Sequence, residues 1–260
     1  MVRQYGMRLP GGLMAHTLAE RPDLGPRIAS LPDTFPEFMH HDAAVNRHWG
    51  ALFTDFAGFQ VAVCEGDGGE IVAAGHCIPV FWDETVEGLP AGLDEVLELG
   101  VVGLEQGRNP TVVSALLAIV PQAYRGRGLS SVVLTAMKRA AAEHGLGVLI
   151  APVRPTLKDR YPLTPMERYI RWEQAEGLPF DPWLRVHRRL GAEFLRLAPK
   201  SMVITGTLRR WEEWTGMRFP ESGAYIVPGA LQPVLMDVER DLGTYEEPNV
   251  WMRHPVATEG

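Results

Sequence analysis

Cysteines, long apolar runs and positive charge are all scarce in this sequence. Its 260 residues include two cysteines, Cys64 and Cys77, which give neither a disulfide framework nor a metal-binding spacing. Apolar runs such as residues 115–121 are far shorter than the ~20 residues that a membrane-spanning helix needs. Residues 1–12 contain no apolar segment of the kind found in signal peptides. We therefore expect a soluble, cytoplasmic protein with no membrane partner and no bound metal.

The charge of the chain limits its partners. Lysine and arginine number 25 against 32 aspartate and glutamate residues, which gives a formal net charge of −7. Because proteins that bind nucleic acids usually present a basic face, we expect no nucleic-acid partner. Cationic amine substrates are compatible with the acidic excess. The composition, 46% hydrophobic and 22% charged, is typical of a globular protein that buries a core of its own.

Hydrophobic periodicity predicts strands and helices in alternation along the chain. The predicted strands are 59–65, 70–81, 111–120, 147–153, 194–197, 201–207, 225–227 and 235–238. The predicted helices are 38–56, 93–104, 129–144, 183–190 and 208–216. An Asp-Gly-Gly turn at 67–69 favours a hairpin between the first two strands. The alternation is typical of one α/β layer structure, so we expect a single elaborated domain over residues 1–260.

A glycine-rich turn between the strand 111–120 and the helix 129–144 carries the strongest functional signal. Gly126 and Gly128 let the backbone approach a phosphate, and the first N–H groups of the following helix have no partner within it. Charge and hydroxyl donors are supplied by Arg125, Arg127, Ser130 and Ser131. The turn therefore predicts a phosphate site at a helix N-terminus. It is neither the dinucleotide-binding Gly-x-Gly-x-x-Gly, whose third glycine is here Ser131, nor a P-loop.

Residues 125–130, Arg-Gly-Arg-Gly-Leu-Ser, resemble the coenzyme A signature of the GNAT N-acetyltransferases, Arg/Gln-x-x-Gly-x-Gly/Ala. The match is at Arg125 and Gly128, and the departure is at Ser130, where glycine or alanine is usual. The resemblance is clear over 111–153 and fainter over 183–197. It implies a GNAT fold of the α/β class (α+β type), with a mixed, mostly antiparallel sheet flanked by helices. In that fold the sheet is splayed open at the acyl-CoA site, and an insertion precedes the last helix–strand unit.

The resemblance also implies a reaction and the residues that bind the coenzyme. The family's coenzyme-binding positions correspond to Ala118, Ile119, Val120, Arg125, Gly126, Arg127, Gly128, Leu129, Ser130 and Ser131. We therefore expect transfer of an acetyl group from acetyl-CoA to a primary amine of a small molecule, by direct attack in a complex of both substrates. A longer acyl donor, an oxygen acceptor and a non-catalytic acyl-CoA-binding module are the alternatives.

Two proton transfers must accompany such a reaction. The family often has a tyrosine, four residues before a helix-ending glycine, that protonates the leaving thiolate; here His187 stands four residues before Gly191. Neighbouring arginines would lower the pKa of His187, and a narrow bell-shaped pH profile should result. The family often supplies the base from a carboxylate on the strand equivalent to 111–120, which has none here. The base stays open among His76, Asp83, Glu84, Tyr161, Glu167 and Asp181.

The segment 154–182 is longer than the family's usual connection and is rich in proline and aromatic residues. Long loops in compact domains are usually functional or disordered, and the aromatic content argues against disorder. We therefore predict that the insertion forms a wall of the acceptor site, through Tyr161, Tyr169 and Trp172. The region 1–58 is predicted to be helical. The extension 208–260 shows no motif, and its tryptophans are predicted to be core, with a homodimer left open.

Overall fold

A ten-stranded sheet runs through the chain. The structure is a computed structural model and describes residues 6–257. The strands are β1 Met7–Arg8, β2 Leu13–Thr17, β3 Gln60–Glu65, β4 Ile71–Val80, β5 Val112–Ile119, β6 Val148–Val153, β7 Glu193–Gly206, β8 Gly223–Tyr225, β9 Val234–Asp237 and β10 Leu242–Pro255. Their order is β1-β2-β3-β4-β5-β6-β10-β9-β8, and β7 also pairs with β10. All pairs are antiparallel except β5 with β6.

Helices cover both faces of this sheet. The α-helices are α1 Gly25–Ala29, α2 Ala43–His48, α3 Ala51–Thr54, α4 Leu93–Glu105, α5 Leu129–Glu143, α6 Met166–Tyr169, α7 Pro182–Arg189 and α8 Leu208–Thr215. Short 3-10 helices lie at Pro10–Gly12, Pro22–Leu24, Glu37–His41, Ala57–Phe59, Gln122–Tyr124, Lys158–Arg160 and Ala175–Gly177. Within residues 6–257, no helix is both long and apolar enough to cross a membrane.

Side-chain alternation along β4 divides the molecule into two main cores. Cys77 shares a core with Val133 of α5 and Leu184 of α7. The next residue, Ile78, points to the opposite face and shares a core with Val96 of α4. The helices α5 and α7 therefore lie on one face of the sheet, and α4 lies on the other.

The sheet opens between β5 and β6. These strands pair through Val113 with Leu149 and Ser114 with Ile150, and the pairing ends there. On its other side, the pairing of β5 with β4 is irregular. His76 pairs with Leu117, whereas the next β4 residue, Cys77, pairs with Ala115, so one residue of β5 is skipped. The splayed strands predicted by the family resemblance are thus confirmed, and the gap between them opens on both faces of the sheet.

Several elements form where local sequence patterns predict them. The hairpin β3–β4, the strand β5, the helix α5 and the strand β6 lie within about two residues of their predicted limits. Gly145 and Gly191 follow α5 and α7 with φ of +73° and +82°, the left-handed conformation in which glycine commonly ends a helix.

The N-terminal region differs from its prediction. The single helix expected at 38–56 is divided into a 3-10 helix, α2 and α3. The division occurs because Asp42 starts a new helix, its Oδ1 accepting a hydrogen bond from the Val45 N–H at 2.9 Å. The region 1–58 also contributes strands β1 and β2, so its description as helical is wrong.

The C-terminal half also differs. The predicted strands 194–197 and 201–207 form one strand, β7. The strand β10 was not predicted at all, although it pairs with β6, β7 and β9. It contains Pro248, and its pairing with β7 shifts register between Glu247 and Asn249, which interrupts the alternation that sequence reasoning uses. Trp211 and Trp251 are fully buried, which confirms their assignment to the core.

Candidate active site

The glycine-rich turn stands at the N-terminus of α5, where the sequence predicts it. Gly126 and Gly128 have φ of +80° and +74°, in the left-handed region that favours glycine. A Cβ atom at either position would meet nothing within 4 Å, so the turn faces open space. Gly128 directly precedes α5, whose first N–H groups lack partners within the helix. The turn is therefore able to receive a phosphate group.

A cavity of about 960 Å³ begins at this turn and continues between β5 and β6. Eight of the ten predicted coenzyme-binding residues line it: Ala118, Ile119, Val120, Arg125, Gly126, Gly128, Leu129 and Ser130. Arg127 and Ser131 are not among its lining residues. The guanidinium of Arg127 instead lies 3.7 Å from the Glu65 carboxylate, and the Ser131 carbonyl accepts a hydrogen bond from Thr135. The structure thus brings most of the predicted coenzyme residues to one cavity.

His187 reaches the same cavity from α7. The side chain is buried, and its Nδ1 lies 2.8 Å from Nε2 of His254 on β10. Nε2 of His187 has no hydrogen-bond partner among the described residues. One proton is shared between the two rings at the 2.8 Å contact, and its position decides whether Nε2 of His187 carries a hydrogen or a lone pair. A buried polar atom of this kind needs a partner, and a substrate could supply one.

Burial, together with the positive charge of a protonated His254, lowers the pKa of His187 well below its ordinary value of 6.5. Burial also lowers the pKa of His254 to about 4. The direction predicted for His187 is confirmed, but the neighbouring arginines are not its cause. Arg185 donates to the Pro179 and Phe180 carbonyls, and so its guanidinium serves the backbone of the insertion. His187 is therefore a buried, neutral imidazole at neutral pH.

Of the six side chains left open as the base, His76 is the one that lines the cavity. Asp83 accepts hydrogen bonds within its own loop. Glu84 lies 2.7 Å from the guanidinium of Arg253, on the surface. Asp181 is buried, with all its acceptor capacity used by four hydrogen bonds. These contacts leave a ring nitrogen of His76 as the best placed of the predicted candidates.

The aromatic side chains of the insertion pack against one another. The rings of Tyr161 and Trp172 meet edge to face with centroids 4.9 Å apart, and the Tyr169 hydroxyl donates to Asp181 at 2.9 Å. None of these three aromatic residues is among the lining residues of the cavity. Where the sequence favours an acceptor wall made of them, the structure shows a small core, because aromatic rings bury large areas best against each other. The insertion reaches the cavity through Arg154, Thr156, Asp159 and Pro182 instead.

Asp181 connects this insertion to the helix that carries His187. Its Oδ2 accepts from the Leu157 N–H and the Tyr169 hydroxyl, both at 2.9 Å. Its Oδ1 caps α7 by accepting from the Trp183 and Leu184 N–H groups. The insertion thus fixes the start of α7, and through it the position of His187.

Outside the glycine-rich turn, sequence reasoning did not single out the charged residues of the cavity, of which Arg154, Glu247 and Asp159 have the most informative contacts. Arg154 lies at the end of β6, and its Nε donates to both carboxylate oxygens of Glu247 at 3.0 Å. Its Nη2 donates to the Gly229 carbonyl at 2.7 Å, and its Nη1 has no partner among the described hydrogen bonds. Asp159 holds a buried Oδ1 that also has no partner there. An isolated arginine or aspartate carries no motif, so the signal appears only when the fold brings them together.

We compared the sequence with family models and with characterised proteins. No family model matches the chain. Arginine N-acetyltransferase avaD of Aspergillus versicolor is 30% identical over 287 residues, covering 98% of this chain and 98% of that protein. This chain belongs to the GNAT-type N-acetyltransferase family.

Solved structures agree on the fold. The loading GNATL domain of CurA from Lyngbya majuscula has a TM-score of 0.58 at 16% identity, covering 94% of this chain and 98% of its own. The GNAT-like decarboxylase GphF, solved with isobutyryl-CoA, has a TM-score of 0.53 at 16% identity, covering 91% and 97%. At this identity they support the GNAT fold alone.

The family assignment makes this protein an acyl-CoA-dependent N-acetyltransferase, as the sequence predicts. Both cysteines are buried, and burial raises the pKa of each thiol. A thiolate nucleophile is therefore disfavoured at Cys64 and Cys77, which fits direct transfer between two bound substrates. Among residues 6–257, no cluster of three or more histidine, cysteine, aspartate or glutamate side chains is placed to hold a metal ion.

The buried histidines predict that the enzyme loses stability in mild acid. Burial lowers the pKa values of His76 and His254 to about 4, and burial together with His254 lowers that of His187 well below 6.5. Below pH ~6.5 the unfolded chain therefore binds more protons at these three sites than the folded protein, and stability falls as pH falls. Burial raises the pKa values of Asp42, Asp94 and Glu143, that of Asp94 to about 7, which offsets part of the effect.

We therefore expect the free energy of unfolding, measured by urea titration, to decrease between pH ~6.5 and ~4. The His76→Gln variant should show a shallower decrease, because one of the three sites is removed. A free energy that stays constant or rises over this interval would contradict the assignment of neutral, buried imidazoles.

Proposed function

We propose that this enzyme transfers the acetyl group of acetyl-CoA to a primary amine of arginine or a close analogue. The observation that carries the proposal is a single cavity with a phosphate-binding turn at one part and Arg154 and Asp159 at another. The 30% identical relative is an arginine N-acetyltransferase, which supports the same acceptor class. We take the whole of residues 1–260 as one domain, since the sheet draws its strands from residues 7–255.

The coenzyme end is assigned to the turn and the end of β5. The pyrophosphate would lie against Gly126 and Gly128, with the guanidinium of Arg125 beside it. Arg125 donates to the Val120 carbonyl and the Thr34 hydroxyl, both at 3.3 Å, so its guanidinium is held across the turn. Backbone groups from Ala118 to Val120 line the gap where β5 leaves β6, and would hold the pantetheine arm and polarise the thioester carbonyl.

His187 is assigned the proton transfer to the leaving group. Its Nε2 faces the cavity without a partner, and it lies on the same face of the sheet as α5. Donation from Nε2 requires the arrangement in which His254 donates its own Nε2 hydrogen to Nδ1 of His187. The coenzyme thiolate then takes the Nε2 hydrogen of His187 while the His254 hydrogen moves to Nδ1 of His187, and water returns a proton to Nδ1 of His254.

The acceptor end is assigned to Arg154 and Asp159, each of which has one side-chain atom without a hydrogen-bond partner among the described residues. Nη1 of Arg154 can donate to the α-carboxylate of the acceptor, since the remaining guanidinium nitrogens are engaged by Glu247 and Gly229. Oδ1 of Asp159 can accept from the cationic end of the side chain. In that pose the α-amine, on the carbon next to the carboxylate, would lie at the Arg154 end of the cavity.

Substrate analogues test this assignment without disturbing the buried Arg154–Glu247 pair. Agmatine lacks the carboxylate of arginine, and citrulline lacks its positive charge. Because a hydrogen bond to a charged group contributes ~1.5–3 kcal/mol, each should have a KM ~10-fold or more above that of arginine. Thiol release from acetyl-CoA gives the rates, and mass spectrometry identifies the product.

An Asp159→Asn variant completes the test. It should raise the KM for arginine ~10-fold and leave the KM for citrulline unchanged, because citrulline does not use the carboxylate charge. Citrulline is thus the internal control for folding and coenzyme binding. An arginine KM that is unaffected by Asp159→Asn, or the absence of thiol release with every amine, would refute the proposed acceptor.

A further inference from the structure

The tautomer of His76 is fixed by Gln60. The side-chain nitrogen of Gln60 donates to the Phe56 and Cys77 carbonyls, both at 2.8 Å, so both of its hydrogens are used. These bonds determine which end of the amide is oxygen. That oxygen, Oε1, accepts from the Cys77 N–H at 3.3 Å and lies 3.1 Å from Nδ1 of His76. Because Oε1 can only accept, Nδ1 of His76 carries the hydrogen and Nε2 carries a lone pair.

His76 points toward the opposite face of the sheet from His187. It has the same side-chain direction along β4 as Ile78, whose core lies on the α4 face, whereas α7 packs on the α5 face. Its ring packs against Trp49 and Phe53, with centroids 5.2 and 5.5 Å away. The cavity is lined by both histidines and passes between the splayed strands. A group held in that gap can therefore be approached by one imidazole from each face.

We propose that His76 is the general base of the reaction and that Gln60 is its positioning residue, which rests on the proposed function. The amine nitrogen forms a bond to the thioester carbonyl carbon, and the bond from that carbon to sulfur breaks. Nε2 of His76 takes the proton that the nitrogen loses and passes it to water. The His187–His254 pair protonates the thiolate and regains a proton from water. The two transfers are thus divided between the two faces of the sheet, with neither imidazole required to do both.

The surroundings keep His76 available for this role. Burial lowers its pKa to about 4, so Nε2 is unprotonated at neutral pH. The side chains that face it are Trp49 from the end of α2, Phe53 from α3, Gln60 from β3 and Leu117 from β5. None of these is titratable. The proton comes from a nitrogen already bonded to the carbonyl carbon, which is a much stronger acid than a free ammonium group.

A His76→Ala variant tests the proposal through turnover. We expect kcat for arginine to fall ~10²-fold, with the affinity for acetyl-CoA unchanged by calorimetry. Added imidazole should restore part of the rate, whereas pyrrole, a ring of similar size without a basic nitrogen, should not. His16→Gln is the matched control, since His16 is a buried histidine of the same sheet that does not line the cavity. It should retain the wild-type kcat.

Two kinetic results would overturn the proposal: a wild-type kcat in folded His76→Ala, or equal rescue by pyrrole, which would make His76 a space-filling group. Nitrogen-15 NMR of the wild-type enzyme tests the tautomer independently of any variant. Nε2 of His76 should show the chemical shift of an unprotonated ring nitrogen, and a protonated shift there contradicts the assignment. If the wild-type enzyme fails to acetylate arginine, the proposed function fails, while the NMR experiment still decides the state of His76.

Discussion

Replacing Gly128 with glutamate should abolish acetyl-CoA binding in an enzyme that still folds. Gly128 directly precedes α5 with φ of +74°, and a Cβ there would meet nothing within 4 Å. The substituted side chain therefore has room, and the cost to folding is the ~1–2 kcal/mol of a left-handed non-glycine residue. Its carboxylate would occupy the space where the pyrophosphate is expected, so both bulk and like charge oppose binding. Calorimetry should detect no binding at concentrations that saturate the wild type.

Gly145→Glu is the matched control for this experiment. Gly145 follows the other end of α5 with φ of +73°, is exposed, and also has an open Cβ position. The Gly145→Glu variant therefore introduces the same side chain, with nearly the same backbone strain, at a position away from the glycine-rich turn. We expect Gly145→Glu to bind acetyl-CoA like the wild type. Equal affinity in folded Gly128→Glu would show that the coenzyme does not use this turn.

Replacing His187 with phenylalanine should lower kcat ~10²-fold or more while acetyl-CoA still binds. The phenyl ring keeps an aromatic group beside Trp183, whose ring centroid lies 4.4 Å from that of His187. It cannot donate a proton, and it leaves Nε2 of His254 without its partner, which should cost ~1–3 kcal/mol of stability. Steady-state kinetics together with urea unfolding separates the two effects. An unchanged kcat would exclude His187 from proton transfer.

The pH profile of the wild-type enzyme distinguishes the sequence-based expectation from the structural one. An imidazole that titrates near 6.5 would give the narrow bell-shaped profile predicted from the sequence. The structure instead holds the pKa of His187 well below 6.5 through burial and His254. We therefore expect kcat to rise with pH as the amine loses its proton and then to level off, without an alkaline decrease from His187. Arg189→Ala, at an exposed position of the same helix, should leave the profile unchanged.

Two aspects of this protein could be predicted from the chain because their causes are local. The strand β5, the glycine turn and the helix α5 follow one another within about thirty residues, and each is encoded by periodicity or by glycine conformation. The same segment carried the family resemblance. His187 could likewise be selected from its distance to Gly191, because the end of a helix is set by neighbouring residues.

The chemical surroundings of the site could not be predicted in this way. His187 and His254 are 67 residues apart, and Arg154 and Glu247 are 93 apart. Both pairs depend on β10, a strand that local patterns failed to indicate. The aromatic residues of the insertion were assigned to the acceptor wall because composition gives the presence of aromatic rings but not the direction in which they pack.

The sequence by itself thus determined the coenzyme turn and the strand and helix on either side of it, because short-range backbone preferences fix these elements, and the same residues carried the resemblance to the family. The tertiary structure decided which side chains are buried beside one another, and so it set the neutral state of the histidines and the tautomer of His76. Burial and hydrogen bonding between distant segments depend on how the whole sheet closes, and no local pattern records that.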